Sequence, residues 1–247
     1  MRSERIDVRY RLQCTSAWHC GTGLRLGLIH RSVTRDAKGF LYVPGSTLKG
    51  VLRDHATSLA RLLDLEAHYP HNLQQDVGEF AVRSDIISLI FGSRVRPGTL
   101  FFDDARLCKD DRDFLQSDQD DELQKRFMAN QTETRTQVSL SRRTGTAQRS
   151  FLFTTEYGIP HLHFDGRIYG TLSGVPTIEG TTTYSLVLLL AALRLCEQLG
   201  GNKSAGAGRV TCDLTQLQVD GTQQGVNEYL SLLPEFEYYA LAEEEDV

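Results

Sequence analysis

The chain has 247 residues, of which 40% are hydrophobic and 9% aromatic, with a formal net charge of −5. These values describe an ordinary globular protein with material for one large domain or two small ones. The longest apolar run, Leu186 to Leu193, is too short to span a bilayer, and no signal-peptide core follows the first residues. The five cysteines, Cys14, Cys20, Cys108, Cys196 and Cys212, include no CxxC pair and read as reduced, mostly buried thiols. A soluble cytoplasmic protein is expected, with no membrane partner.

Residues 5–13 alternate, with Ile6, Val8, Tyr10 and Leu12 on one side and Arg5, Asp7, Arg9 and Arg11 on the other. That pattern predicts a half-buried strand. A turn punctuated by Gly21 and Gly23 follows. With Gly27 the spacing is GxGxxxG and a basic turn comes next, so a dinucleotide fingerprint is discounted. Between Arg25 and Arg53 the cations are Arg25, Arg31, Arg35, Lys38, Lys49 and Arg53, and Asp36 is the sole acid. Polyanion binding needs a locally basic surface, which a net-acidic chain can still carry. Phe40 to Val43 reads as a short strand. Pro44-Gly45 then turns the chain, and Ser46 stands at the expected N-cap of a helix over 46–64. Lys49 and Arg53 share a face near the helix start, where free N–H groups already favour a phosphate.

Residues 65–84 read as loop, and Asp85 to Phe91 as a short helix closed by Gly92. Thr99 to Leu107 predicts a strand. Asp110 to Glu122 holds seven acids against Arg112 alone and reads as a solvated or disordered insertion. Residues 135–149 contain four arginines and no acid, with Arg142-Arg143-Thr144-Gly145 at a hairpin tip and Phe151 to Thr155 returning. His161 to Leu172 alternates again. Tyr184 to Leu199 predicts an apolar helix stopped by Gly200-Gly201, Val210 to Val219 a last strand, and the acidic 235–247 a frayed tail. Between that helix and strand, Gly206 and Gly208 permit close approach of backbone N–H groups to a phosphate, and Lys203 and Arg209 add charge. Without the insertions the order is strand, helix, strand, strand, helix, strand. The expected class is therefore α+β, with a ferredoxin-like (RRM-like) βαββαβ core. The aromatic RRM signature is absent, so RNA contacts are expected from loops, helix ends and the hairpin rather than from the free sheet face.

Several pieces occur in a telling order: Tyr42-Val-Pro-Gly-Ser-Thr-Leu-Lys-Gly-Val-Leu-Arg53, Ile90-Phe-Gly-Ser93, Asp104-Ala-Arg106, Arg142-Arg-Thr-Gly-Thr-Ala147 and Gly201-Asn-Lys-Ser-Ala-Gly-Ala-Gly-Arg209. Together they resemble the RAMP superfamily of CRISPR effector proteins, above all the repeated backbone subunit of type III effector complexes. The resemblance implies a single RAMP-like domain over 1–247: a core of 1–64, 99–107 and 160–220, with insertions at 65–98 and 108–159. It also implies a thumb hairpin at Arg142 and Arg143, and a guide groove lined by Arg31, Arg35, Lys49, Arg53, Lys203, Gly206, Gly208 and Arg209. The implied partners are a CRISPR RNA, a complementary target RNA and neighbouring effector subunits, including other RAMP backbone subunits. In members that cut target RNA, an aspartate precedes the Pro-Gly-Ser helix, and Asp36 matches it. Asp36 would then be catalytic and would hold a divalent metal, Mg²⁺ or Mn²⁺, recruited with the RNA. The alternative within the family is a binding-only structural subunit without nuclease activity.

Two other chemistries compete on the residues alone. Ser46-Thr-Leu-Lys49 fits an SxxK acyl-enzyme motif, but its SDN-like and KTG-like partners are only partial. His161-Leu-His163, or Cys14 with His19 and Cys20, could supply metal ligands, yet no third ligand follows at a recognisable spacing. Satisfied or exposed histidines are the simpler reading there and at His68 and His71.

Overall fold

The computed structural model describes residues 2–25, 27–65, 85–93, 97–116, 122, 126, 128, 130–178 and 180–239. The loop expected over 65–84 lies outside these from residue 66 on, His68 and His71 included, as do residues 117–121 of the acidic insertion and the last residues from 240.

The alternation in the first residues produces β1 (Arg2–Cys14), the centre of an antiparallel sheet. On one side β1 pairs with β7 (His163–Gly174), and on the other with β8 (Val210–Val219). Three short strands, β2 (Tyr42–Val43), β3 (Leu100–Phe102) and β4 (Ala105–Leu107), extend the sheet beyond β7, and β9 (Thr222–Gln223) extends it beyond β8. A separate hairpin is made by β5 (Thr132–Leu140) and β6 (Ala147–Gly158). Ile6, Val8, Tyr10 and Leu12 of β1 are buried with Phe164, Ile168 and Leu172 of β7, under α1 (Gly45–Leu62) and α4 (Tyr184–Arg194). Period-2 burial on the strands thus meets apolar helices over one face, and the odd-numbered charged residues of β1 stay on the other. Every residue from Tyr184 to Leu193 is buried, because α4 has the sheet, α1 and the C-terminal segment around it. All five cysteines are free and buried, and burial pushes the Cys20 thiol up to about 12 and Cys196 to about 11.

Several expectations are corrected. The helix begins at Gly45 after Pro44, so Ser46 is not its cap. The Gly45 N–H instead donates to an Asp104 carboxylate oxygen at 2.9 Å. The predicted strand 99–107 breaks at Asp103 and Asp104 into β3 and β4, and the break is what delivers that carboxylate to the helix start. The acidic stretch is not a solvated insertion throughout: α3 (Lys109–Leu115) forms there, capped by Cys108 Sγ, with Asp110 and Asp111 in its first turn and Leu115 buried. A short helix, α2 (Ile86–Phe91), closes at Gly92 as expected. Helix α4 stops at Arg194 rather than near Leu199, because the chain from Leu195 turns to meet Arg209, with the Leu199 N–H donating to the Gly208 carbonyl. After β9 come α5 (Val226–Leu230) and a 3₁₀ turn, Leu233–Tyr238, neither of which the sequence patterns indicated. The segment from 235 to 239 is no frayed tail, since Phe236 and Tyr239 pack edge-on against Tyr184 at 4.9 and 5.2 Å between ring centroids.

Inside the core, the Glu4 carboxylate accepts hydrogen bonds from both Thr182 and Thr183, including the Thr183 backbone N–H at the start of α4. Burial nevertheless pushes its pKa up.

Gly45 and Gly50 separate packing from propensity within one helix. A Cβ on Gly45 would sit 2.0 Å from the Phe102 carbonyl oxygen, whereas one on Gly50 meets nothing within 4 Å. Gly45→Ala should lose about 1–3 kcal/mol in urea unfolding, and Gly50→Ala should gain about 0.5–1 kcal/mol. Equal effects of the two would contradict this account of the helix start.

Candidate nucleic-acid interface

Four segments far apart in sequence meet at Glu156 near the end of β6. Its carboxylate, only 6% exposed, receives both terminal nitrogens of Arg35 at 2.7 and 3.1 Å, the Thr132 hydroxyl at 2.9 Å and the Val33 N–H at 3.0 Å. Burial alone would raise the Glu156 pKa, but these donors together hold it below the usual carboxylate value. The Glu156 carbonyl pairs with His19 Nδ1 at 2.8 Å. His19 in turn gives its own carbonyl to the Gly201 N–H, and the Ala17 carbonyl takes the Gly208 N–H, both at 2.8 Å. Next along β6, the Tyr157 hydroxyl accepts from Asn202 in the glycine-rich loop, and Arg135 lies over the Tyr157 ring at 4.9 Å. Trp18 clamps the hairpin root: a Cβ on Gly158 would run into its indole. The hairpin, the Arg31–Phe40 loop and the 200–209 loop are therefore held as one unit.

Asp36 sits at the tip of a tight hairpin whose arms are bridged at Arg35 and Leu41. Its Oδ1 accepts the N–H groups of Lys38 and Phe40 at 2.9 and 3.0 Å, an Asx-type turn. Its Oδ2 faces the Arg106 guanidinium at 3.9 Å, and the side chain is 17% exposed. The wholly buried Gln131 amide braces this loop, accepting the Leu41 N–H and donating to the Gly39 carbonyl. Arg106 also lines a groove of about 730 Å³ on the open sheet face, with Arg9, Arg11, Asp165 and Arg167. Arg11 is bound to Asp165, and Arg167 to Asp7, each through two hydrogen bonds. On that same face Phe101 and Tyr169 stack at 5.4 Å, and Arg167 lies 4.4 Å over Tyr169. The free sheet face thus carries an aromatic and cationic surface that the missing RRM signature did not foretell. Phe101 and Tyr169 are opposite each other in the β3–β7 register, so their pairing becomes visible only once the strands are aligned.

The predicted site residues divide into two groups. Arg31, Arg142, Arg143 and Arg209 are exposed, the Arg142–Arg143 pair lies in the β5–β6 turn as expected, and Lys203 is half-buried. Gly206 (φ 80°) has open space around it. Gly208 shares its φ but is packed so that a Cβ would meet the Leu199 carbonyl oxygen at 2.0 Å. Lys203 comes near α1, where burial and then its charge lower the His55 pKa. The other cations are engaged. Arg35 belongs to Glu156, and Arg53 donates to the Gly92 carbonyl at 2.8 Å. Lys49 lies 5.5 Å over the Phe102 ring, with its pKa lowered by burial and then by Arg53. The α1 start is not an open phosphate cradle either, because Asp104 supplies its anion.

Among the described residues no helix is long and apolar enough to cross a membrane. The RAMP superfamily sequence model matches residues 11–211. The chain belongs to the RAMP superfamily. The solved structures similar to this RAMP chain include a subunit in "Cryo-EM structure of the Type III-B Cmr-beta bound to cognate target RNA". That subunit is 13% identical, with TM-score 0.57 over 91% of this chain and 98% of the other. A subunit in the apo-state structure of Type III-B Cmr-beta is also 13% identical, with TM-score 0.56 over 85% and 97% of the two chains. Among curated protein sequences none matches.

Glu156 makes a signed pH prediction. A carboxylate held below its unfolded pKa adds stability above about pH 4.5, and that stability is lost as pH falls through the lower folded value. Glu156→Gln should cost about 2–4 kcal/mol at neutral pH, and the gap to wild type should narrow below about pH 4.5. Denaturant midpoints measured across that range check it; a gap independent of pH would contradict the assignment.

Proposed function

We propose that this RAMP protein is a CRISPR RNA-binding backbone subunit of a cytoplasmic type III effector complex, and that it cuts complementary target RNA beside Asp36. The observation that carries the reading is the Glu156 junction, which holds the arginine-tipped hairpin, the Asp36 loop and the glycine-rich loop in one body. The strand order β4–β7–β1–β8, antiparallel throughout with α1 and α4 packed together, supports a ferredoxin-like βαββαβ core. It also supports the division into core segments 1–64, 99–107 and 160–220 with insertions 65–98 and 108–159. Arg31, Arg142, Arg143, Lys203 and Arg209 would contact guide phosphates, with the Gly206 backbone close to the strand. The free sheet face would add stacking surface. Val138 and Leu152 are opposite each other on the hairpin and exposed at 46% and 62%. That suits a thumb covered by RNA or by a neighbouring RAMP subunit of the complex.

Cleavage would proceed by in-line attack of an RNA 2′-hydroxyl on the adjacent phosphorus: Asp36 Oδ2 accepts the hydroxyl proton, the P–O5′ bond breaks to leave a 2′,3′-cyclic phosphate, the departing 5′-oxygen takes a proton from water, and Arg106 faces the charge that builds on phosphate. Asp36 joins no cluster of three ligating side chains among the described residues, so a Mg²⁺ or Mn²⁺ ion here would draw its other ligands from RNA and water. Such an ion, when bound, supplies Lewis-acid stabilisation of the scissile phosphate. A second reading, a binding-only subunit, is favoured by the two N–H groups already on Asp36 Oδ1.

Asp36→Asn separates the two readings, because it keeps an oxygen for the turn and removes the charge. In the assembled complex, cutting of complementary RNA should fall at least about 100-fold with guide retention unchanged. Cutting that persists with the same fragments leaves the binding-only reading for Asp36. Replacing Arg142 and Arg143 by alanine should flatten the salt dependence of guide binding, by about 0.7 in log–log slope for each phosphate no longer neutralised. An unchanged slope removes the hairpin tip from the track.

A further inference from the structure

We propose that Cys108, Asp111 and His163 form a binding site for a thiophilic divalent cation of the Zn²⁺ class, which clips the root of the hairpin excursion to the sheet. Cys108 follows β4, Asp111 lies in the first turn of α3, and His163 opens β7. The backbone brings them together before any ion arrives. The Cys108 N–H donates to the His163 carbonyl at 2.8 Å, and the His163 N–H donates to Asp111 Oδ2 at 2.7 Å. The thiol sulfur, a carboxylate oxygen and an imidazole nitrogen all lie within 4.8 Å of one another. Ligands at Zn–S of about 2.3 Å and Zn–N of about 2.0 Å stand about 3.5 Å apart, so closing on an ion asks for side-chain shifts of about an ångström.

The donor set selects the metal. Thiolate and imidazole suit Zn²⁺, whereas Mg²⁺ demands oxygen ligands. The site is therefore chemically distinct from the Asp36 loop and does not rest on the RNA-binding reading. On binding, the Cys108 S–H proton leaves to solvent and the sulfur bonds to the ion. His163 bonds through Nδ1 with its proton on Nε2, giving up its 3.1 Å contact with Asp111 Oδ2. Thiolate and carboxylate together neutralise the ion. Cys108 is buried while Asp111 and His163 are half-exposed, so an ion enters from their side and keeps water as a fourth ligand. Asp111 and His163 are 52 residues apart, and the chain between them carries the rest of α3 and the β5–β6 hairpin. A cross-link closing so long a loop removes conformational freedom from the unfolded chain.

The test is a cobalt titration of the full-length, tag-free chain. The expected result is a thiolate-to-cobalt charge-transfer band with tetrahedral visible bands, displaced by one equivalent of Zn²⁺ and unaffected by millimolar Mg²⁺. Cys108→Ser should abolish the charge-transfer band. His163→Gln and Asp111→Asn should each weaken Zn²⁺ binding by at least about tenfold in a chelator competition. Cys20→Ser should leave both measurements unchanged. Far-UV circular dichroism confirms that each variant is folded; if Cys108→Ser is not, His163→Gln decides. The proposal is overturned if wild type shows no charge-transfer band, or if folded His163→Gln binds Zn²⁺ as tightly as wild type.

Discussion

A single buried carboxylate organises the candidate interface. Glu156 is cut off from water, so it must be fully partnered, and its partners come from two other segments: Arg35 and Val33 from the Asp36 loop, and Thr132 from the opposite strand of the hairpin. The same residue's backbone holds His19, which in turn holds the glycine-rich loop. Taking an ion into the interior is costly unless geometry and hydrogen bonds are complete. That cost is why one arrangement of these loops is selected over the many that short, glycine-containing turns would otherwise allow.

Charge read along the chain differs from charge read in space. Between Arg25 and Arg53 the sequence shows a basic stretch with one acid, yet the fold brings Glu156 to Arg35 and Asp104 to the first N–H of α1. The anion site that the helix start promised is filled from within. Of the predicted RNA-contacting cations, the exposed ones are Arg31, Arg142, Arg143 and Arg209, drawn from three separate regions of the chain. The order of the effects is physical: the strongest complementarity is used internally to hold the loops, and what is left over faces outward.

Much of the architecture was legible because its signals are local. The period-2 alternation of β1, the arginine-tipped hairpin and the strand Val210 to Val219 all depend on residues close in sequence. What escaped depends on distant partners. Nothing near Asp103 and Asp104 says that a strand will break there; the reason lies in Gly45, about sixty residues earlier. Phe236 and Tyr239 look like part of an acidic tail until Tyr184 is placed beneath them. Glu156 did carry a faint signal, as the acid in a strand that returns from an arginine-rich turn, and Gln131 carried none. The Cys108, Asp111 and His163 grouping was equally hidden, because His163 offered one ligand and the other two lay in or beside a segment that composition marked as solvated.

The central claim is that the Asp36 loop, the hairpin tip and the glycine-rich loop form one track for an RNA strand. Hydrogen–deuterium exchange on the assembled complex, with and without its guide RNA, tests it most directly. The account predicts slowed exchange in residues 30–41, 141–146 and 200–209 together when the guide is bound. Protection confined to Val226–Leu230 and Leu233–Tyr238, with those three segments exchanging as before, would contradict it.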